Sequence, residues 1–269
     1  MNKVKMNLIG GGFQHSPSTS GFEPLYIKWV NDSSANISIY VDNALQLSTN
    51  PNTKNYGWLC ESKTINPHYY KWCLENIEIL KQKYIKVFTH DVELTKMSDI
   101  FQITQCSGKS FIALDDGNLY EKNKLVSIIA SNKTVCDEHI FRQQMISKFS
   151  NQCDHYGRGF RGLVNKVDGL KDYCFSITIE NATYSNMFTE KITDCFMTGT
   201  IPIYYGIPNI GEFFNEEGII TLNDDFKIED LTFDLYKNKI DAIIDNFERA
   251  KHLLTAEDYI YLNYIKNEI

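Results

Sequence analysis

The first half of the chain alternates short apolar runs with a segment of helical periodicity. A strand that ends near Ile9 is followed by runs at residues 36–41 and 56–60, which are rich in β-branched and aromatic residues. Apolar residues recur at helical spacing between 70 and 80, and residues 84–89 again form a strand-like run. This order predicts a βαβ unit, because parallel neighbouring strands require a crossover connection.

The second half shows the same alternation. Residues 125–130 (LVSIIA) predict a buried strand, and residues 139–149 predict the helix that follows it. Residues 173–180 predict a central strand, and residues 200–205 predict the next strand along the chain. Beyond residue 237 the apolar spacing is typical of amphipathic helices, which we expect to close the structure.

A polar, turn-like segment at residues 117–124 separates the two halves. The sequence therefore predicts an α/β protein with two domains, residues 1–120 and residues 121–269, each built around a parallel sheet. Ligands of open parallel sheets bind beyond the carboxyl ends of the strands. Polar residues at those ends are therefore the first candidates for function.

The charge of the chain excludes one class of ligand. A net charge of −7 over 269 residues does not supply the clustered cations that a nucleic-acid-binding surface needs. An anionic ligand must instead be held by a few local groups. Three of the four arginines, Arg142, Arg158 and Arg161, fall within twenty residues of sequence, and guanidinium groups bind phosphate in bidentate geometry.

The seven cysteines are scattered and include no CxxC pair. Such a set is typical of free thiols in a reducing compartment, so we expect a cytoplasmic protein. No run of 18 apolar residues occurs, and no integral membrane segment is expected. Cys136, His139, Cys153 and His155 do not match a zinc-site spacing, and we expect no metal or other cofactor.

The stretch that begins at the predicted central strand carries the candidate chemistry. Asn181 follows this strand, and Thr189 is a suitable N-cap for the next helix. A right-handed crossover brings Asn181 and the helix N-terminus to one edge of the sheet. At that edge the helix dipole, Lys191 and Arg142 would hold a diphosphate, and the carboxylate of Glu190 would accept hydrogen bonds from ribose hydroxyls.

This stretch contains Glu180-Asn181, seven intervening residues, Thr189-Glu190-Lys191-Ile192, the run TIPIYYG from residue 200, and Pro208. The pattern resembles the donor-binding signature of glycosyltransferase family 10, the α1,3-fucosyltransferases. Upstream, Ser131-Asn132 and Arg142 resemble the serine-asparagine strand end and the phosphate-binding arginine of that family. The likeness extends over about residues 125–226 and fades in the N-terminal half.

The resemblance implies the GT-B fold, in which two Rossmann-like domains face each other across a cleft. The C-terminal domain would bind the donor, GDP-fucose, and the N-terminal domain would present a glycan acceptor. The family inverts the configuration of the anomeric carbon, and a carboxylate of the N-terminal half acts as general base without a metal ion. Glu61, at the end of a predicted strand, is our candidate for this base, with Glu75, Glu78 and Asp91 as alternatives.

Further candidates for contacts with donor or acceptor are Asn132, Arg158, Tyr184 and His15. One departure from the family leaves the donor open. Members place a tyrosine two residues before the Thr-Glu-Lys triplet, whereas this chain has Met187, which packs but donates no hydrogen bond. A UDP-pentose or another GDP-deoxyhexose therefore remains an alternative donor, and a catalytically silent sugar-nucleotide or glycan-binding protein an alternative function. The oligomeric state is not indicated.

Overall fold

The computed structural model describes residues 3–10, 18–104 and 108–268. The chain falls into two units. The first contains Met1–Ser107, Tyr184–Met187 and Leu254–Ile269, and the second contains Gly108–Thr183 and Phe188–Leu253. Each unit has its own parallel sheet, as the sequence predicts.

The first unit is built on six parallel strands in the order β2-β1-β3-β4-β5-β6. The strands are β1 (Val4–Ile9), β2 (Ile27–Trp29), β3 (Ile37–Val41), β4 (Lys54–Leu59), β5 (Val87–Thr89) and β6 (Phe101–Ile103). The helices of this part of the chain are α1 (Pro67–Glu75), α2 (Ile77–Lys83) and α3 (Val92–Met97). The single helix predicted between residues 70 and 80 is thus two short helices that meet at Asn76.

The second unit has five parallel strands in the order β11-β10-β9-β7-β8. They are β7 (Lys124–Ile129), β8 (Asp154–Tyr156), β9 (Tyr173–Ile179), β10 (Ile201–Tyr205) and β11 (Ile220–Thr221). The helices are α4 (Asp137–Lys148), α5 (Glu190–Phe196), α6 (Phe233–Lys237) and α7 (Ile240–His252). The sequence does not predict β6 and β8, which have three residues each; β5 is as short, but it ends the longer strand-like run at residues 84–89.

The order of strands in the second unit creates a switch point between β7 and β9. The chain leaves β7 through α4 towards β8, and it leaves β9 through α5 towards β10, on the other side. The two helices cover opposite faces of the sheet: Phe141 of α4 packs on Tyr205, with ring centroids 4.4 Å apart, while Cys195 of α5 contacts Thr178. The loops after β7 and β9 therefore diverge, which opens a crevice at the carboxyl edge.

The end of the chain returns to the first unit as α8 (Ala256–Ile260), followed by helical turns over Tyr261–Ile265 and Lys266–Glu268. Ala256, Ile260 and Ile265 are buried in one core with residues of the first sheet such as Ile39 and Trp58. This burial of apolar surface explains why Leu254–Ile269 belongs to the first unit.

The units differ from the predicted ranges, residues 1–120 and residues 121–269, in two further places. The chain passes from one unit to the other between Ser107 and Gly108, and Tyr184–Met187 is counted with the first unit. The residues after Gly108 are held in the second unit by Asp194, whose carboxylate accepts hydrogen bonds from the Ser110 hydroxyl (2.6 Å) and the Phe111 N–H (2.8 Å).

Candidate active site

A buried carboxylate organises the carboxyl end of β9. Glu180 is 0% exposed, and it accepts hydrogen bonds from the Thr189 N–H (2.9 Å) and the Thr189 hydroxyl (2.7 Å). Its Oε2 also lies 3.2 Å from Nζ of Lys191. Thr189 is the N-cap of α5, as the sequence predicts. Glu180 therefore fixes the position of both Thr189 and Lys191 relative to the sheet.

Lys191 keeps its charge although it is partly buried. Its Nζ donates to Glu180 and, at 2.8 Å, to the hydroxyl of Thr189. Burial alone would lower the pKa of Lys191, but the carboxylates of Glu180 and Glu190 more than offset it and the pKa is raised. An ammonium group has three donors, so one remains beyond these two hydrogen bonds. Helix α5 has only seven residues, so its dipole adds less to anion binding than such side-chain charges.

Glu190 lies in a second group of charges, which sequence reasoning missed. Nζ of Lys166 lies 3.3 Å from Glu190 Oε1 and 2.7 Å from Asp194 Oδ2. Burial would raise the pKa of Glu190, but Lys191 and Lys166 lower it to about 2, so this carboxylate is ionised at neutral pH. Lys166 sits in a short 3-10 turn after a polar loop, and nothing local in the sequence connects it with Glu190.

Arg142 lies on α4, with only 5% of its surface exposed. No carboxylate lies within salt-bridge distance among the described residues, and its Nε has no hydrogen-bond partner there. Burial lowers the pKa of Arg142, while the nearby charges of Glu180 and Glu190 oppose that effect. An arginine side chain does not lose its proton at neutral pH. Among the described residues, the site thus holds a buried cation without a hydrogen-bonded counter-ion.

Asn181 faces α4 across the switch point. Its Oδ1 lies 3.1 Å from Nε2 of His139, a buried residue in the first turn of that helix. Asn132 and Arg158 meet through their backbones, because the Asn132 N–H donates to the Arg158 carbonyl at 3.0 Å. The side chains of both residues are exposed, so neither is committed to the core. Gly159, with φ of +92°, allows this approach, since a Cβ there would lie 2.8 Å from the Asn132 side chain.

The first unit holds Glu61 two residues after the end of β4, at the carboxyl edge of its sheet. Three contacts fix this residue. The Glu61 N–H donates to Asp42 Oδ1 (3.3 Å), its carbonyl accepts from the Tyr70 hydroxyl (2.6 Å), and its Oε1 accepts from the Ser62 N–H (2.8 Å). Burial raises the pKa of Asp42 to about 6. The Glu61 carboxylate is therefore held in one place while it remains partly exposed.

The alternatives to Glu61 have other roles in the structure. Asp91 is buried; it caps α3 by accepting from the Glu93 N–H (2.8 Å) and pairs with Lys63 (2.9 Å). Glu75 and Glu78 are exposed on α1 and α2, where each lies near a lysine of its own helix. Glu61 is the carboxylate of the four that combines a strand end, a fixed position and access to solvent.

Tyr184 lies in the first unit, next to the segment that carries Glu61. Its hydroxyl accepts a hydrogen bond from the Lys63 N–H at 2.7 Å, and its ring stacks on His90 with centroids 5.7 Å apart. Its role as a donor or acceptor contact stays a prediction. His15, the other N-terminal candidate, lies outside the described residues.

Within the described ranges, no group of three or more His, Cys, Asp or Glu side chains is placed to hold a metal ion. Cys153 and His155 contact each other at 3.2 Å, whereas His139 is bonded to Asn181. The six cysteines that the structure describes are free, as expected. No helix in the described part of the chain is long and apolar enough to cross a membrane.

Comparison with known proteins agrees with the fold. The model of the C-terminal part of glycosyltransferase family 10 (fucosyltransferase) matches residues 119–260, which is more than half of the chain. An α-(1,3)-fucosyltransferase, FucT of Helicobacter pylori, is 33% identical over 103 residues, which cover 37% of this chain and 21% of that protein. A putative fucosyltransferase-like protein of Arabidopsis thaliana is 36% identical over 93 residues, 32% of this chain and 18% of that protein. The chain thus aligns with about a fifth of the length of these relatives.

A crystal structure of an α1,3-fucosyltransferase superposes with a TM-score of 0.55 at 16% sequence identity, covering 91% of this chain and 80% of that one. This likeness, together with the two parallel-sheet units, shows an α/β protein with the GT-B fold, and the predicted fold class is confirmed. The match of the family model is more specific. The chain belongs to glycosyltransferase family 10, the fucosyltransferase family.

Proposed function

We propose that this protein is an inverting glycosyltransferase that transfers fucose from GDP-fucose to a hydroxyl group of a glycan. Arg142 carries the proposal: a buried guanidinium without a hydrogen-bonded counter-ion among the described residues is poised to bind an anion. It lies on the helix that follows β7, at the switch point where open α/β sheets bind nucleotides. Membership of family 10 supports fucose as the transferred sugar.

Two cations of the site can bind a diphosphate. Lys191 pairs with Glu180 and Lys166 pairs with both Glu190 and Asp194, whereas Arg142 forms no ion pair among the described residues and can bind the diphosphate directly. Lys191 would add its third donor to the same phosphate groups. Both cations would stabilise the negative charge that the diphosphate gains as it leaves the sugar.

The nucleoside would be held through Glu190 and Asn181. Glu190 is ionised and partly exposed, so its carboxylate can accept hydrogen bonds from the ribose hydroxyls. The amide of Asn181 can donate to a phosphate or ribose oxygen. Lys166 positions Glu190 by pairing with it, and Asp194 in turn holds Lys166. The loops that carry Asn132 and Arg158 are proposed to contribute further donor contacts.

Glu61 is the proposed general base. The acceptor oxygen attacks the anomeric carbon, the bond from that carbon to the diphosphate oxygen breaks, and the acceptor proton passes to the Glu61 carboxylate. Attack opposite the leaving group inverts the anomeric configuration. The contacts of Glu61 with Asp42, Tyr70 and Ser62 support this role, because a base acts efficiently when its position is fixed before the reaction.

Ligand-dependent thermal stability tests the donor. We expect GDP and GDP-fucose to raise the midpoint of thermal unfolding at concentrations at which UDP and UDP-sugars do not, since a ligand stabilises the state that binds it. Met187, which is 3% exposed, packs in the first unit and offers no hydroxyl to a donor. Stabilisation by UDP-sugars alone would contradict GDP-fucose as the donor and favour the alternative.

The variant Glu61→Gln tests the chemistry. We expect it to lower the rate of fucose transfer to an oligosaccharide acceptor by roughly 100- to 10,000-fold, because general-base catalysis contributes about that factor. The dissociation constant for GDP, measured by calorimetry, should stay within about twofold of the wild-type value. Glu75→Gln, an exposed carboxylate of α1, is the matched control and should transfer fucose normally. Wild-type protein that binds GDP but transfers no fucose to any acceptor would indicate a silent sugar-nucleotide-binding protein.

A further inference from the structure

The hydrogen bonds of His139 fix the orientation of the Asn181 side chain. His139 is 3% exposed, and its Nδ1 lies 3.2 Å from the backbone nitrogen of Val135. A backbone N–H can only donate, so Nδ1 must be the unprotonated acceptor. The neutral ring then carries its proton on Nε2, which donates to Asn181 Oδ1 at 3.1 Å. An amide cannot reverse its ends against such a donor.

This arrangement leaves the Asn181 NH₂ group available. Nδ2 makes no hydrogen bond with the residues that the structure describes, while Oδ1 is occupied by His139. Asn181 is also partly exposed at the carboxyl end of β9, in the crevice between β9 and β7. Among the described residues, the donor end of this amide is thus left free to bind a ligand that has hydrogen-bond acceptors.

We propose that His139 is a positioning residue for the donor: it holds the Asn181 amide so that its NH₂ group binds an acceptor oxygen of the nucleoside diphosphate. This inference rests on the proposed function and adds a residue that does not itself touch the ligand. Reversal of the amide would place its NH₂ group against the Nε2–H donor of His139, so the observed orientation is the one that makes a hydrogen bond.

Only the neutral ring makes both of these hydrogen bonds, because Nδ1 must be unprotonated to accept from the Val135 N–H. A protonated His139 would present an N–H to the Val135 N–H and lose that hydrogen bond. The groups around the ring favour the neutral form: burial and the cations of Arg142, Lys133 and Lys191 lower the pKa of His139, against the hydrogen bond to Asn181. The buried thiol of Cys136 donates to the backbone carbonyl of Asn181 at 3.9 Å.

A double-mutant cycle on nucleotide affinity tests the proposal. The dissociation constant is measured by calorimetry with GDP or UDP, whichever the wild type binds. We expect His139→Phe, which keeps the ring volume but removes both nitrogens, to weaken binding about tenfold, the loss of one hydrogen bond. Asn181→Ala should weaken it by a similar factor. In the Asn181→Ala background, His139→Phe should then raise the dissociation constant by less than about twofold, because its effect acts through the Asn181 amide.

Two polar variants keep the test valid if His139→Phe does not fold. Gln places its amide nitrogen where Nε2 lies, so His139→Gln should bind nucleotide within about threefold of the wild type. Asn matches Nδ1 but is too short to reach Asn181, so His139→Asn should show the tenfold loss. His252→Phe, an exposed histidine in the last turn of α7, should leave the affinity unchanged.

Equal losses from His139→Phe with and without Asn181, or equal affinities of the Gln and Asn variants, would overturn the inference and leave the proposed function standing. A wild-type protein that binds neither GDP nor UDP would overturn both.

Discussion

At the scale of single residues, the site is defined by which charges are paired and which are not. Lys191, Lys166 and Glu190 all lie within salt-bridge distance of an opposite charge. Arg142 does not, and its Nε has no partner among the described residues. A buried, unpaired charge destabilises a folded protein. Binding of an anion to Arg142 would offset this cost, which explains why the buried charge is present.

The variant Arg142→Met separates these two effects. We expect nucleotide affinity to fall roughly 10- to 100-fold, since hydrogen bonds to charged groups contribute about 1.5–3 kcal/mol. In contrast, the free energy of unfolding without ligand should stay the same or rise, because replacing an unpaired buried charge with an apolar side chain is often stabilising. Calorimetry with GDP and urea unfolding measure the two quantities.

Arg249→Met is the control for this prediction. Arg249 is an exposed residue of α7 that pairs with Asp245 at 2.9 Å. Its replacement should leave nucleotide affinity within twofold and change stability by less than about 0.5 kcal/mol, as is usual for such surface pairs. A loss of stability in Arg142→Met with unchanged nucleotide affinity would indicate that Arg142 has a purely structural role.

At the scale of elements, the site depends on how closely the end of β10 packs against the end of β9. Gly206 directly follows β10, and a Cβ at this position would lie 2.3 Å from the Tyr204 ring and 2.9 Å from Cγ of Glu180. Glu180 is the residue that positions Thr189 and Lys191. Because Gly206 has no side chain, Glu180 can occupy the position from which it binds Thr189 and Lys191 in the first turn of α5.

Gly206→Ala should consequently affect both stability and binding. We expect it to lower the free energy of unfolding by about 1–3 kcal/mol, the usual cost of overpacking a buried contact, and to weaken nucleotide binding because Glu180 must move. Gly162→Ala is the matched change. Apart from its chain neighbours, no described residue has an atom within 4 Å of a Cβ added at Gly162, so the free energy of unfolding of this variant should be unchanged or slightly higher. Urea unfolding of both variants checks this, and equal effects at the two positions would contradict it.

At the scale of the whole molecule, two carboxylates of α8 bind residues from the N-terminal part of the chain. Glu257 of α8 accepts hydrogen bonds from the N–H (2.7 Å) and hydroxyl (2.9 Å) of Thr19, which is 238 positions away in sequence. The next residue, Asp258, accepts from the backbone of Leu25 (2.8 Å) and Tyr26 (3.0 Å). Both carboxylates are buried, so these contacts belong to the core of the first unit.

The burial of Glu257 predicts a dependence of stability on pH. Burial raises its pKa from 4.5 to about 7, so between these values the folded chain binds more protons than the unfolded chain. The free energy of unfolding should therefore fall as the pH rises from about 4.5 to 7, by up to about 1.4 kcal/mol for each unit of the pKa difference.

Glu257→Gln removes this titration and keeps a side chain of the same shape. Its stability relative to the wild type, from urea unfolding at pH 5 and pH 8, should increase towards the higher pH. Glu248→Gln, an exposed glutamate of α7, should show no such change. A stability difference between Glu257→Gln and the wild type that is the same at both values of pH would contradict the prediction.

The sequence by itself determined the α/β class, the parallel strands, the strand ends where Asn181 and Glu61 stand, and the helix that carries Arg142. Alternating apolar runs, cap residues and the Thr-Glu-Lys pattern are local, so they can be recognised without coordinates. Only the tertiary structure decided that Glu180 holds Lys191, that Lys166 and Asp194 accompany Glu190, and that His139 orients Asn181. It also decided that the C-terminal residues complete the first unit. These are contacts between residues far apart in the chain, and their partners depend on packing that no local pattern records.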